Sequence, residues 1–446
     1  MRHTYTILLL LASMLISSCD DFLDIQPTGK VIAKTCEEYR ALLTDVYNNF
    51  PDDRALTTLR SDEMTLDPAI TTAEDLNSYF DIWRWQDVAQ DENTSSFNWR
   101  RFYHTIYIAN YVIEHRDEIT EGSKADIDQL VGESYMLRAY SHFVLVNLFG
   151  QPYTKCDPSA TLSVPLSTVA DVELVLPRSS VGAVYDQIVS DIASAKTYLT
   201  TEAWEPQLSY RFNRLSADAL ESRVCLYMGN WQGALDAAKT VIDSHPALED
   251  LTTSSYTMPD HYTSLEAIVC LEQVMKSAYK GIGAPSTDFI ATYRTGDMRK
   301  NRYFKAQTSR VYTLLKGGDP LCRSTFRSAE MYLTAAEAAA RLGDTETAMT
   351  YLKPLITTRY MSALQPTILS EMEAKDADEL TESILEERAH ELCFEGHRWF
   401  DLRRTTQPSI TKTYDGQTYT LEANDSRYTI PIPSEAINAN PSLGEE

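Results

Sequence analysis

The segment ERAHELCFEGHRWFDLRR, residues 387–404, holds the densest set of side chains capable of chemistry. His390-Glu391 opens like a zinc-protease motif, but that motif needs a second histidine at position 394, which is Phe394. His397 follows seven residues after His390, and on one continuous helix the two imidazoles would stand about two turns apart, too far to share one zinc ion. The charges of this segment suit a helix surface, with Arg388 beside Glu391 and Glu395 beside Arg398, while Phe394, Trp399 and Leu402 form the buried side. No Gly-x-Ser-x-Gly elbow, Walker loop or dinucleotide fingerprint occurs, and Gly281-Ile-Gly283 lacks the third glycine. Among 64 acidic residues some carboxylate pair at glycosidase spacing is expected by chance. No catalytic residue and no metal ligand is assigned. The acidic loops are compatible with Ca²⁺ by composition, but no cofactor is indicated.

The aromatic residues point to binding. Trp99, Trp231 and Trp399 fall on helical patterns and are expected in the core. Trp83 and Trp85, in SYFDIWRWQDV, and Trp204 lie in or beside irregular stretches. Flat rings among Asp, Asn and Arg can stack on sugar C–H faces while the polar neighbours read hydroxyls. The competing reading is that these rings pin their loops to the body.

The positioning elements are mainly helical. Leu130, Leu137, Val144 and Leu148 recur along residues 126–150, and Gly150 and Pro152 end that helix. A second stripe, Val181, Val184, Ile188, Ile192, Ala195 and Leu199, follows the capping candidates Ser179 and Ser180. Segments 216–242 and 330–356 repeat at a constant offset of 114 residues: Ala217 with Met331, Val224 with Ala338, Gly229 with Gly343, Ala234 with Ala348 and Ile242 with Ile356. A helix, a turn on Gly and a second helix with small packing residues is the tetratricopeptide design. An all-α, mainly helical fold with minor β-hairpins is expected. Its helix pairs would form a scaffold, and loop-rich regions at about 60–98 and 245–325 would carry function.

Arg2 and the apolar run Ile7–Ile16, ending in Ile-Ser-Ser-Cys, predict a lipoprotein signal over residues 1–18, with Cys19 acylated. Several buried acyl chains, at roughly 0.8 kcal/mol per methylene, would anchor the protein stably on a membrane. Residues 19–34 would be a tether, and 35–446 a single helical domain. The net charge of −24 becomes −25 once Arg2 is removed, which argues against nucleic acid as a partner. The six other cysteines, Cys36, Cys156, Cys225, Cys270, Cys322 and Cys393, are scattered, and no disulfide framework is predicted.

These residues together resemble the SusD/RagB family of outer-membrane nutrient-binding lipoproteins from Bacteroidetes glycan-uptake systems. The likeness runs through CDDFLDIQP, Trp99, Tyr103, Ile106 and Asn110, LRAYSHFVLVNLFGQPY, LPRSSVGAVYDQIVSDI, both repeats, ILEERAHELCFEGHRWFDLRR and YTIPIPSEAINANPSL. Two departures are local: LITTRYMS keeps only Arg359 of an Arg-x-Arg pair, and the chain ends in Gly-Glu-Glu. The resemblance implies non-catalytic binding of an oligo- or polysaccharide at the cell exterior. It also implies delivery to a SusC-like TonB-dependent transporter, with loops rather than repeats forming the ligand face. Ligand contacts are not among the shared motifs. Loop position and chemistry therefore nominate Asn77, Tyr79, Trp83, Arg84 and Trp85 as one cluster, and Tyr279, Tyr293 and Arg294 as a second. Capture of peptides by the same fold, or a scaffold for envelope assembly with no small ligand, are the alternatives.

Overall fold

Ser123 begins the longest helix by a reciprocal cap, its hydroxyl accepting from the Asp126 amide while the Asp126 carboxylate accepts from the Ser123 amide. The same device opens several other helices, so element starts are written into short polar sequences. The computed structural model describes residues 33–87, 90, 93–308 and 311–444. The predicted leader, Cys19 and the tether up to residue 32 lie outside the described residues.

The main helices are α1 (Cys36–Asn48), α2 (Ala73–Trp83), α3 (Trp99–Glu114), α4 (Lys124–Phe149), α5 (Val181–Tyr198), α6 (Arg214–Met228) and α7 (Trp231–Ser244). After an irregular middle come α8 (Ser328–Arg341), α9 (Thr345–Arg359), α10 (Gln365–Glu373), α11 (Ala377–Glu391) and α12 (Arg398–Arg404). The fold is mainly helical, and no described helix is long and apolar enough to cross a membrane. Both repeats form the predicted helix pairs. Gly229 and Gly343 adopt φ of +74° and +82° at the turns, a left-handed conformation that glycine enters without steric cost. Successive helices pack from α3 through α9, and α11 closes on α8. Buried Ala219, Ala234, Ala238, Ala335, Ala338 and Ala348 keep the repeat backbones close.

Among the described residues, eight short strands serve the loops: β1 (Met64–Leu66), β2 (Ala267–Val269), β3 (Gly283–Pro285), β4 (Phe304–Ala306), β5 (Tyr312–Leu314), β6 (Phe326–Arg327), β7 (Ile410–Tyr414) and β8 (Gln417–Leu421). They pair antiparallel in twos: β1 with β3, β2 with β6, β4 with β5, and β7 with β8. Two of these pairs join distant parts of the chain. Residues 60–98, expected as irregular, contain α2, because Thr72 and Asp75 form a capping box and Leu76, Phe80 and Trp83 recur at helical spacing.

The expected surface charge lattice at 388–398 is corrected by the structure. The helix ends at Glu391, and the chain turns through Phe394 and Gly396 at φ of +61° and +73°, so Glu395 and Arg398 are not on that helix, while Arg388 and Glu391, both on it, take partners elsewhere. The charges point inward instead. Glu391 accepts from Arg327 and Arg359, each at 2.8 Å, and Arg359 also reaches Glu266 at 2.6 Å. Glu395 is shared between Arg327 and the Lys316 ammonium. Arg299 binds Asp297 at 2.7 Å and Glu387 at 2.6 Å. Arg388 pairs with Asp401 at 3.2 Å, and Arg398 reaches back to Asp62 at 2.7 Å. Lys316 and Arg327 also donate to the Glu391 carbonyl, satisfying a group that the end of α11 leaves without a helical partner.

Replacing Glu391 by Ala leaves Arg327 and Arg359 short of a counter-charge in a dry interior. A stability loss of roughly 3–5 kcal/mol is expected, read from the urea midpoint. Lys239→Ala, which breaks an exposed one-turn pair with Asp243, is expected to leave the midpoint unchanged. Equal, small effects from both variants would show that the buried network carries no special weight.

Candidate functional site

The first aromatic cluster is built on α2. Trp83, at 0 % exposure, donates its indole N–H to the Met64 carbonyl at 3.2 Å. Trp85, at 1 %, sits at φ +59° and donates to the Arg60 carbonyl at 2.9 Å. Both rings are sealed by the β7–β8 hairpin, whose Lys412 ammonium lies 5.2 Å from the Trp83 ring and 4.4 Å from the Trp85 ring. Lys412 donates to the carbonyls of Leu59 at 2.7 Å and Trp83 at 3.2 Å, and burial pushes its pKa well below the usual lysine range. The expectation that Trp83 and Trp85 form an open stacking platform is therefore corrected: they are the anchor beneath the platform. Trp204 likewise pins its loop, donating to the Phe212 carbonyl at 3.0 Å with Arg211 stacked 3.9 Å from its ring.

The other nominated residues divide. Asn77 is exposed on α2. Arg84 is half-exposed, paired with Asp81 at 2.6 Å and stacked 4.7 Å over the Phe80 ring. Tyr79 meets Tyr279 edge to face, with ring centres 6.0 Å apart, so one member of each predicted cluster is brought together. Tyr279 itself is buried. Tyr293 is buried too and stacks on His390 at 4.1 Å, donating its hydroxyl to the His390 carbonyl. Arg294 pairs with Glu371 on the outer surface of α10. Tyr279 and Tyr293 thus offer no open ring face, and Arg294 stands apart from α2, because these segments close over the core rather than over a cleft.

Three rings missed at first complete the surface. Phe80 packs 5.4 Å from Tyr414 and 5.5 Å from Tyr419, and all three are half-buried. Strand alternation explains the arrangement. Along β7, Ile410, Lys412 and Tyr414 turn inward while Thr411 and Thr413 turn outward, and Tyr419 sits opposite Lys412. The Asp415-Gly416 turn, at φ of +47° and +74°, fits a two-residue hairpin. The sequence ITKTYDGQTYTL carried that signal: alternating Thr and Tyr around Asp-Gly.

Beside β7 runs a groove of about 860 Å³, lined by Met64, Phe289, Leu402 and Ile410 and walled by α11. Nine of its lining side chains are Ser or Thr. The Asp62 carboxylate accepts two bonds from Arg398, at 2.9 and 2.7 Å. Burial pushes that carboxyl up, but the guanidinium outweighs it and holds the pKa below the usual range. His390 shares a hydrogen bond with the Thr292 hydroxyl at 2.7 Å, and burial keeps its imidazole neutral. Thr292 also donates to the Phe289 carbonyl at 2.7 Å, and among the described residues His390 Nδ1 has no hydrogen-bond partner, so the pair lacks the third, orienting group of an activated nucleophile. Half-buried rings on one face of the hairpin and a hydroxyl-lined groove on the other are surfaces that suit polyhydroxylated ligands, held by stacking and by neutral hydrogen bonds.

Residues 21–226 match the family described as starch-binding and associating with the outer membrane, and residues 276–445 match the SusD family. SusD-like protein P38 of Formosa agariphila is 24 % identical, the match covering 90 % of this chain and 91 % of that protein. A SusD superfamily protein from Bacteroides thetaiotaomicron superposes with a TM-score of 0.74 at 23 % identity, over 92 % of this chain and 99 % of its own. A SusD-like carbohydrate binding protein from Bacteroides vulgatus gives a TM-score of 0.65 at 18 % identity, over 92 % and 97 %. At these identities the structural likeness establishes the fold.

Glu63, between the groove residues Asp62 and Met64, is wholly buried, accepting from the Phe394 amide at 2.8 Å and the Ser61 hydroxyl at 3.0 Å. Burial pushes its carboxyl up to about 8. A folded pKa above the unfolded one, about 4.3, means its contribution is full below that lower value and is lost as pH rises through about 8. Glu63→Gln is therefore expected to melt with the parent near pH 5 and above it near pH 9. A melting difference that does not change with pH would rule out the raised pKa.

Proposed function

Since this chain belongs to the SusD/RagB family, we propose that it captures an oligo- or polysaccharide outside the cell, without transforming it, and hands it to a SusC-like TonB-dependent transporter. Family membership points to carbohydrate binding in nutrient uptake and to association with the outer membrane. In this reading acyl chains on Cys19 hold the protein at the membrane, and the helix pairs keep the loops rigid above it. The observation that carries the proposal is the pair of surfaces made by one hairpin, half-buried Phe80, Tyr414 and Tyr419 on one face and the Ser/Thr-lined groove on the other, with Asn77, Tyr79 and Arg84 on α2 beside the rings. Trp83 and Trp85 support the ligand face from beneath.

The test uses the soluble chain without residues 1–19 and a glycan array. Phe80→Ala combined with Tyr419→Ala is expected to weaken binding of the best glycan roughly tenfold or more, since each lost ring contact is worth about 0.5–1.5 kcal/mol. Circular dichroism should show an unchanged helix content. A double variant that folds and binds as tightly as the parent would move the site elsewhere.

A further inference from the structure

Resting on that reading, the groove along β7 carries a charge pattern that narrows the ligand. Asp288, Glu382 and Glu386 line it, are exposed, and form no ion pair among the described residues. Glu382 and Glu386 stand one turn apart on the same face of α11. Among the described residues, Arg398 and Lys412 are the two Lys or Arg side chains lining the groove. Both are already engaged, Arg398 by the Asp62 fork and Lys412 by two carbonyls beneath the hairpin.

We propose that this groove takes an uncharged glycan segment and turns away glycans bearing carboxylate or sulfate groups. Sugar anions are recognised by free guanidinium or ammonium groups, and here an incoming anion would meet cations already paired within the protein while facing three like charges. Each like charge at about 6 Å weakens binding roughly threefold in water, before salt screening. Neutral sugar hydroxyls meet the opposite situation. The Ser and Thr hydroxyls both donate and accept, and Phe289 and Met64 add apolar lining. Discrimination arises from built-in repulsion as much as from attraction.

The experiment titrates the soluble chain with matched sets at low salt: glucan, xylan, mannan and galactan oligosaccharides against oligogalacturonates and sulfated carrageenan fragments, with a Lys/Arg-rich peptide in parallel. The expected result is binding to a neutral set, with the acidic sets at least about tenfold weaker. The triple variant Asp288→Asn, Glu382→Gln, Glu386→Gln is expected to narrow that gap while leaving neutral binding within about threefold. All three positions are exposed, and an unchanged melting temperature would show that the variant is folded. Acidic glycans bound as tightly as neutral ones by the parent would overturn the charge selection and leave glycan capture standing. Peptide binding lost in the triple variant, with no sugar bound, would overturn both readings. So would an absence of binding to every probe.

Discussion

The structure hangs on a dry knot of charge. Arg299, Arg327, Arg359 and Lys316 meet Glu266, Asp297, Glu387, Glu391 and Glu395 with almost no contact with water. The members come from different layers. Glu266, Asp297, Arg299 and Lys316 belong to the irregular middle, Arg327 to the start of α8, Arg359 to the end of α9, and Glu387 and Glu391 to α11. Moving such ions out of water is costly, so a buried pair adds little net stability over an apolar contact, while loss of one partner is severe. What the arrangement confers is placement. A segment of some eighty residues with few regular hydrogen bonds is held to the helical frame at fixed points, because every other position would strand a charge.

That constraint explains what was legible in the sequence. The repeats, the long helix α4 and the turn glycines Gly229 and Gly343 were readable because their causes are local: periodicity, caps and backbone conformation. The charges at 388–398 were not. Their true partners lie far off in sequence, Arg327 and Arg359 among them, and local spacing offered plausible but unrealised neighbours. The core stripe of Phe394, Trp399 and Leu402 was still identified correctly, since apolar residues next to a helix end have few places to go.

The tryptophans show the same divide. Trp83 and Trp85 sit among Asp, Arg and Gln, and that polar setting suits a surface ring and a pinned loop equally well. The hairpin at 410–421 decided between them, folding back over a distance of about 330 residues to cover both rings. The rings that reach the surface, Tyr414 and Tyr419, were hidden by their ordinary context. Only the Asp-Gly turn with alternating Thr and Tyr would have singled them out.

The hairpin is therefore the element on which both faces of the candidate site depend. Side chains alternate along a strand, so Lys412 and Tyr414 point to the α2 rings while Thr411 and Thr413 line the groove. A slip of one residue would exchange the two sets and abolish both surfaces together. Lys412 prevents it. A lysine under two indoles, reaching the carbonyls of Leu59 and Trp83, fits at one register only, and its neighbour in the pairing, Tyr419, then falls against Phe80. A buried amine without a carboxylate partner is unfavourable in isolation. Here it is tolerated because two carbonyls and two ring faces replace the lost water, and because the position it enforces assembles the ring band and the hydroxyl-lined wall from one strand.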